Sequence, residues 1–151
     1  MNPFFHASIG LAIHTTIYAV SKDEFTTFVV GVPLSIFSHW VADFLFEAKL
    51  SSEDMLTYEG FGLCIFYGGI LFTDMSIFWL FFFLSSWCSG NLLDFIDKKM
   101  YLATIYPDKF KVTNWFHNHK KGIKFTKRQT KNSAIVGGVI TVICIYVINS
   151  L

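Results

Sequence analysis

Four stretches of this chain, about residues 3–20, 25–47, 75–96 and 133–150, stay apolar long enough to cross a bilayer as helices, and each ends in polar or turn residues. A spanning helix needs roughly 17 to 25 such residues at a rise of about 1.5 Å each. Composition leads the same way: of 151 residues, 53% are hydrophobic, 19% aromatic and 15% charged, with a mean hydropathy of +0.48. A soluble domain carries about 25% charged residues. A bilayer supplies the solvent that so much Phe, Ile and Leu requires and removes the demand for one thick water-excluding core. The chain therefore reads as a single all-α integral membrane domain over residues 1–151.

The stretch from Tyr58 to Thr73 either continues into the next segment or makes a hairpin with it through Thr73-Asp74-Met75-Ser76. One helix over residues 58–96 would be nearly 60 Å long, about twice the hydrocarbon thickness. The hairpin fits better, so about five transmembrane helices are expected, with four as the alternative. Lys98, Lys99, Lys109, Lys111, Lys120, Lys121, Lys124, Lys127, Arg128 and Lys131 are ten of the twelve basic residues, and they fall between two apolar segments. The positive-inside rule makes this 98–131 loop cytoplasmic, in what reads as a bacterial cytoplasmic membrane. With five helices the amino terminus and the acidic 48–59 loop lie on the same side. Met1-Asn2-Pro3-Phe4-Phe5 lacks the basic region of a secretory signal, so the first helix is expected to be retained. Cys64, Cys88 and Cys144 are scattered singly and read as small buried hydrophobes. The run from Phe78 to Phe83 reads as lipid-facing.

Ionisable groups at membrane depth are costly, which makes them candidates for function. His39 and Asp43, four apart, share one helix face and can share a metal ion. A hydrogen bond that merely packs two helices is the competing reading. Asn91, Asp94 and Asp97 recur every three residues near the end of a helix and can present oxygens in one direction; a polar helix end at the interface is the alternative. His117 and His119, two apart in the basic loop, stand beside Lys120 and Lys121, which can clamp a phosphate. His6 and His14 lie roughly 12 Å apart along the first helix. His6 is expected as a ligand and His14 as a packed or supporting histidine. In the five-helix arrangement His6, His39, Asp43, Asp94, Asp97, His117 and His119 gather at one membrane face. Such a set suits zinc, with manganese or iron as alternatives.

These residues resemble a family, the small multi-helix bacterial membrane-bound metal-dependent hydrolases, akin to zinc-dependent phospholipase C. Asn2-Pro3-Phe4-Phe5-His6 looks like the family's early histidine segment, and Leu93-Asp94-Phe95-Ile96-Asp97 like its aspartate segment. Phe116-His117-Asn118-His119 looks like its histidine-rich segment, and Ser38-His39-Trp40-Val41-Ala42-Asp43 like its Ser-His-x-x-x-Asp helix. The last of these precedes the aspartate segment here instead of following the histidines, and Asp-x-x-Asp stands for Asp-x-Asp.

The resulting expectation is a metal-dependent hydrolase acting through metal-activated water on a phosphoester of a lipid or another membrane-proximal substrate. The seven residues above would be ligands, and Lys120 and Lys121 would hold the phosphate. Membrane lipid is the expected partner, and nucleic acid is not. Two other classes compete: a metal or proton transporter or channel subunit, which would need His14 as strongly as His39, and a non-catalytic membrane partner protein.

Overall fold

The computed structural model describes residues 3–48, 52–71, 73, 76–98 and 123–151. Five helices carry these residues: α1 Pro3–Ser21, α2 Glu24–Leu45, α3 Ser52–Ile70, α4 Ile77–Lys98 and α5 Lys127–Ile148. The helical class expected from the sequence holds, with one small addition. Strands β1 Phe46–Ala48 and β2 Ile123–Phe125 pair in parallel, with Phe46 opposite Ile123 and Ala48 opposite Phe125, and tie the end of α2 to the start of α5.

The turn between α1 and α2 is built from its residues. Lys22 takes a left-handed backbone, φ 53°, and its N–H closes on the Tyr18 carbonyl at 2.8 Å, which ends α1. Asp23 then caps α2, its carboxylate accepting the Thr26 N–H at 2.6 Å. The hydrogen bonds from Thr26, side chain first and backbone second, hold the Asp23 carboxyl below the usual range. A turn this tight returns α2 antiparallel along α1, so the start of one helix meets the end of the other.

Residues 58–96 are two helices, as the length argument requires, although α3 starts at Ser52. The predicted 98–131 loop is too long at both ends. Lys98 closes α4, and α5 already starts at Lys127 because Thr126 and Gln129 form a capping box. The Thr126 hydroxyl accepts the Gln129 N–H at 3.3 Å, and the Gln129 side chain accepts the Thr126 N–H at 2.8 Å.

Glu24–Asp43 of α2 and Lys127–Ile148 of α5 are long and apolar enough to cross a membrane, and Ile77–Leu93 of α4 is a shorter apolar stretch. Polar residues dilute the others: His6, His14, Thr15 and Thr16 in α1, and Glu53, Asp54 and Glu59 in α3.

α1 is the centre, packed on α2, α3, α4 and α5. Phe4, Leu11, Phe66, Phe82 and Phe83 fill the apolar core around it. The aromatic run 78–83 is thus divided: Phe82 and Phe83 face inward while Leu80 and Phe81 face out, because a helix turns the run through every direction. Of the cysteines Cys144 is buried, but Cys64 is exposed and does not fit the buried reading. Polar residues dominate the interior. Among the described residues 14 polar or charged residues are buried against 11 hydrophobic ones, while Phe37 and Trp40 on α2 and Val139, Val142 and Tyr146 on α5 point outward.

Candidate metal centre

His6 closes the first turn of α1, and His39 and Asp43 lie in the last turns of α2, so the antiparallel pairing brings them together. The Asp43 carboxylate bridges the two rings, Oδ1 at 3.0 Å from His6 Nε2 and Oδ2 at 2.9 Å from His39 Nε2. The imidazoles stack with centroids 3.9 Å apart and planes 21° apart. All three residues are buried, with His39 1% and Asp43 7% exposed. One ligand atom from each lies within 4.8 Å of the others.

α4 supplies what orients the pair. His39 Nδ1 donates its proton to the Gly90 carbonyl. That bond fixes the tautomer and ring plane, as the outward N–H of a metal-binding histidine commonly does. A neutral His39 ring then aims the Nε2 lone pair at a carboxylate oxygen. Two acceptors at 2.9 Å repel, and only a proton or a cation between them makes the contact favourable. In tetrahedral zinc sites, bonds of about 2.0–2.2 Å set neighbouring ligand atoms roughly 3.4 Å apart, a few tenths wider than these contacts. Two imidazoles and one carboxylate are the protein ligands of an open zinc site, which leaves a fourth position for water or substrate.

Close packing of small residues makes this possible. A Cβ on Gly90 would stand 2.7 Å from the His6 carbonyl oxygen, and one on Gly10 would stand 2.5 Å from that of Ser86. α1 and α4 therefore touch backbone to backbone, a contact that small residues allow in membrane bundles. The sequence reading missed Gly90. Its signal was the small pair Ser86-x-x-x-Gly90, which lies one turn before Asp94.

Three of the seven expected ligands, His6, His39 and Asp43, are thus brought together. Asp94 and Asp97 fall in the last turns of α4, at the same end of the bundle, but their side chains are outside the described residues. His117, His119, Lys120 and Lys121 also lie outside the described residues. Asn91 is buried; its Nδ2 donates to the Trp87 carbonyl at 3.2 Å, while its Oδ1 has no hydrogen-bond partner. His14 is fully buried and apart from the three. Its Nδ1 lies 2.9 Å from the Gly10 carbonyl, with the Ser35 hydroxyl 3.3 Å away.

No protein family, curated protein or solved structure matches this chain.

Proposed function

We propose that the protein is a membrane-embedded, metal-dependent hydrolase whose His6, His39 and Asp43 hold one divalent ion, zinc most readily. The observation that carries this reading is the convergence of two imidazole nitrogens on one carboxylate, with the His39 tautomer fixed by Gly90. Bound there, the ion would supply a Lewis acid able to activate water at neutral pH. The chain's own part is orientation: Gly90 sets the His39 ring, Asp43 spaces the two imidazoles, and the tight α1–α4 crossing holds His6 in place. Burial limits water around the ligands and strengthens every electrostatic contact among them.

The polar interior and apolar outer faces support a bundle that lives in lipid, with α1, α3 and α4 crossing beside α2 and α5. The resemblance to membrane-bound metal-dependent hydrolases adds the reaction class, a phosphoester of a lipid or a membrane-proximal molecule. Lys120 and Lys121 are the proposed phosphate clamp, and Asp94, Asp97, His117 and His119 are further ligands in this reading. The basic segment, on the same reading, faces the cytoplasm.

Elemental analysis of the detergent-purified protein tests it. About one equivalent of zinc, manganese or iron is expected, lost in both His39→Ala and Asp43→Ala at matched folding. Phosphodiester hydrolysis is then assayed on lipid vesicles with and without chelator. Absence of metal after reconstitution, or hydrolysis unchanged by the chelator, sinks the proposal.

A further inference from the structure

α2 and α4 touch closely at one end of the bundle and frame a groove at the other. They run in the same direction: Phe28 meets Phe78 near their starts, ring centroids 6.0 Å apart, and His39 meets the Gly90 carbonyl near their ends. The groove lies between the starts and measures about 590 Å³, within the range of about 300–1,000 Å³ that small-molecule sites span. On α4 its lining residues, Ile77, Phe78, Phe81, Leu84, Ser85 and Cys88, follow the spacing of a single helix face. On α2 Glu24 and Phe28, four apart, share the face opposite them. The ring contact of Phe28 with Phe78 closes the back, while Phe81 and Leu84, 56% and 46% exposed, form an open outer lip.

Length, width and charge together define an occupant. Ile77 and Cys88 are eleven positions apart, about 16 Å along the helix, which is about half the hydrocarbon core of a bilayer. The groove is therefore as long as one leaflet is deep. Glu24 opens the apolar stretch Glu24–Asp43, so the groove begins at the level where that stretch would leave the bilayer. A helix about 10 Å across and equally long would fill about 1,200 Å³, twice the volume present, so the space suits a chain and not a helix of a partner or a second copy. Of the two neighbouring acids at this end, Asp23 is committed to the Thr26 N–H, whereas among the described residues no cation pairs with the exposed Glu24. The rings of Phe28, Phe78 and Phe81 line the same groove, and aromatic faces attract cations as well. A carboxylate and aromatic rings at the head of an apolar groove call for an amphiphile with a cationic head.

We propose that the groove between α2 and α4 holds one acyl chain of a bilayer lipid whose headgroup carries an ammonium, with Glu24 as the partner of that ammonium. The chain enters past the open lip of Phe81 and Leu84 and runs down the α4 face to Ser85 and Cys88. The site rests on the membrane part of the function proposed above and not on the hydrolysis. Glu24 stands at the opposite end of α2 from His39 and Asp43, so a lipid held there is a bound component of the bundle and not the molecule presented to the metal centre.

The test offers the full chain, delipidated in detergent, an equimolar mixture of phosphatidylethanolamine and phosphatidylglycerol, and native mass spectrometry reads what stays bound. Wild type should keep one phosphatidylethanolamine, preferred up to about 5-fold, the upper range for an exposed ion pair. Glu24→Gln should erase the preference and still bind lipid. Ser85→Phe, which fills the floor of the groove, should lose the bound lipid of both kinds, with folding followed by circular dichroism. If Ser85→Phe does not fold, Glu24→Gln alone decides. Phosphatidylethanolamine with a diazirine on its acyl chain gives the location: adducts should gather on Phe78, Phe81 and Cys88 over Val139 and Val142 of the outer α5 face. Adducts spread evenly over both faces, no preference in wild type, or a preference that survives Glu24→Gln overturns the proposal. Vesicle flotation and metal content test the earlier reading separately, so a protein that floats and binds zinc without these adducts sinks this inference alone.

Discussion

His6 and His14 stand two turns apart on the same side of α1, both buried, at 2% and 0% exposure, and their neighbours give them different chemistry. His6 meets a carboxylate that a second imidazole also meets, so three residues bring ligand atoms together that could hold a metal ion. His14 meets a carbonyl and a hydroxyl, neither of which carries charge, so among the described residues no second metal-ligating side chain joins it. The difference teaches that burial of a histidine in an apolar helix does not define its role. What decides is whether the adjoining helix offers an anion at that level.

The hardest blow to this contrast is Asp43→Asn. Losing a partner that merely orients a metal-binding histidine costs about 10–100-fold in affinity, so removing a direct ligand should exceed the upper end of that range, read by competition with a chromophoric chelator. If zinc affinity survives, the two histidine levels are alike and the centre is a packing feature. Acidification should come next in size. Protons compete with the ion for imidazole nitrogen, so metal retention is fully present near neutral pH and falls as the pH is lowered, followed by equilibrium dialysis. A retention curve flat down to strongly acid conditions contradicts ligation by His6 and His39.

Gly90→Ala sharpens the comparison from the third helix. Its Cβ would meet the His6 carbonyl at 2.7 Å, and the displacement of α1 should cost about 1–3 kcal/mol in stability and weaken zinc binding with it. Gly68→Ala is the control, with nothing within 4 Å of the added methyl, and should leave stability equal or raise it by about 0.5–1 kcal/mol. The smallest effect belongs to Ser8→Ala. It removes a 3.1 Å hydroxyl contact with Thr141 between α1 and α5, worth about 0.6 kcal/mol, and should leave zinc binding unchanged at both histidine levels.

Much of this was legible in the residues. Apolar length located α1, α2 and α4 to within about two residues at each end but missed the start of α3 by six, where Glu53 and Asp54 interrupt the apolar run, and the four-residue spacing of His39 and Asp43 placed both on one face. Counting crossings put His6 beside them, since only an antiparallel α1–α2 pair brings residue 6 to residue 43. The start of α5 was harder to see, because Lys127, Arg128 and Lys131 read as loop while the cap formed by Thr126 and Gln129 had already begun the helix. The role of Gly90 was hidden for a different reason. It acts through a backbone carbonyl, which every residue has, and its selection reflects closeness of a helix remote in sequence.

The hydroxyl contact between Ser8 and Thr141 spans 133 positions of chain. The candidate metal centre, by contrast, needs residue 6, residues 39 and 43, and the carbonyl of residue 90. Contacts between distant positions form late, because closing a long loop costs entropy before it is rewarded. During synthesis the cluster of His6, His39 and Asp43 can therefore assemble on the first three-fifths of the chain, before α5 has emerged to cover the opposite flank of α1.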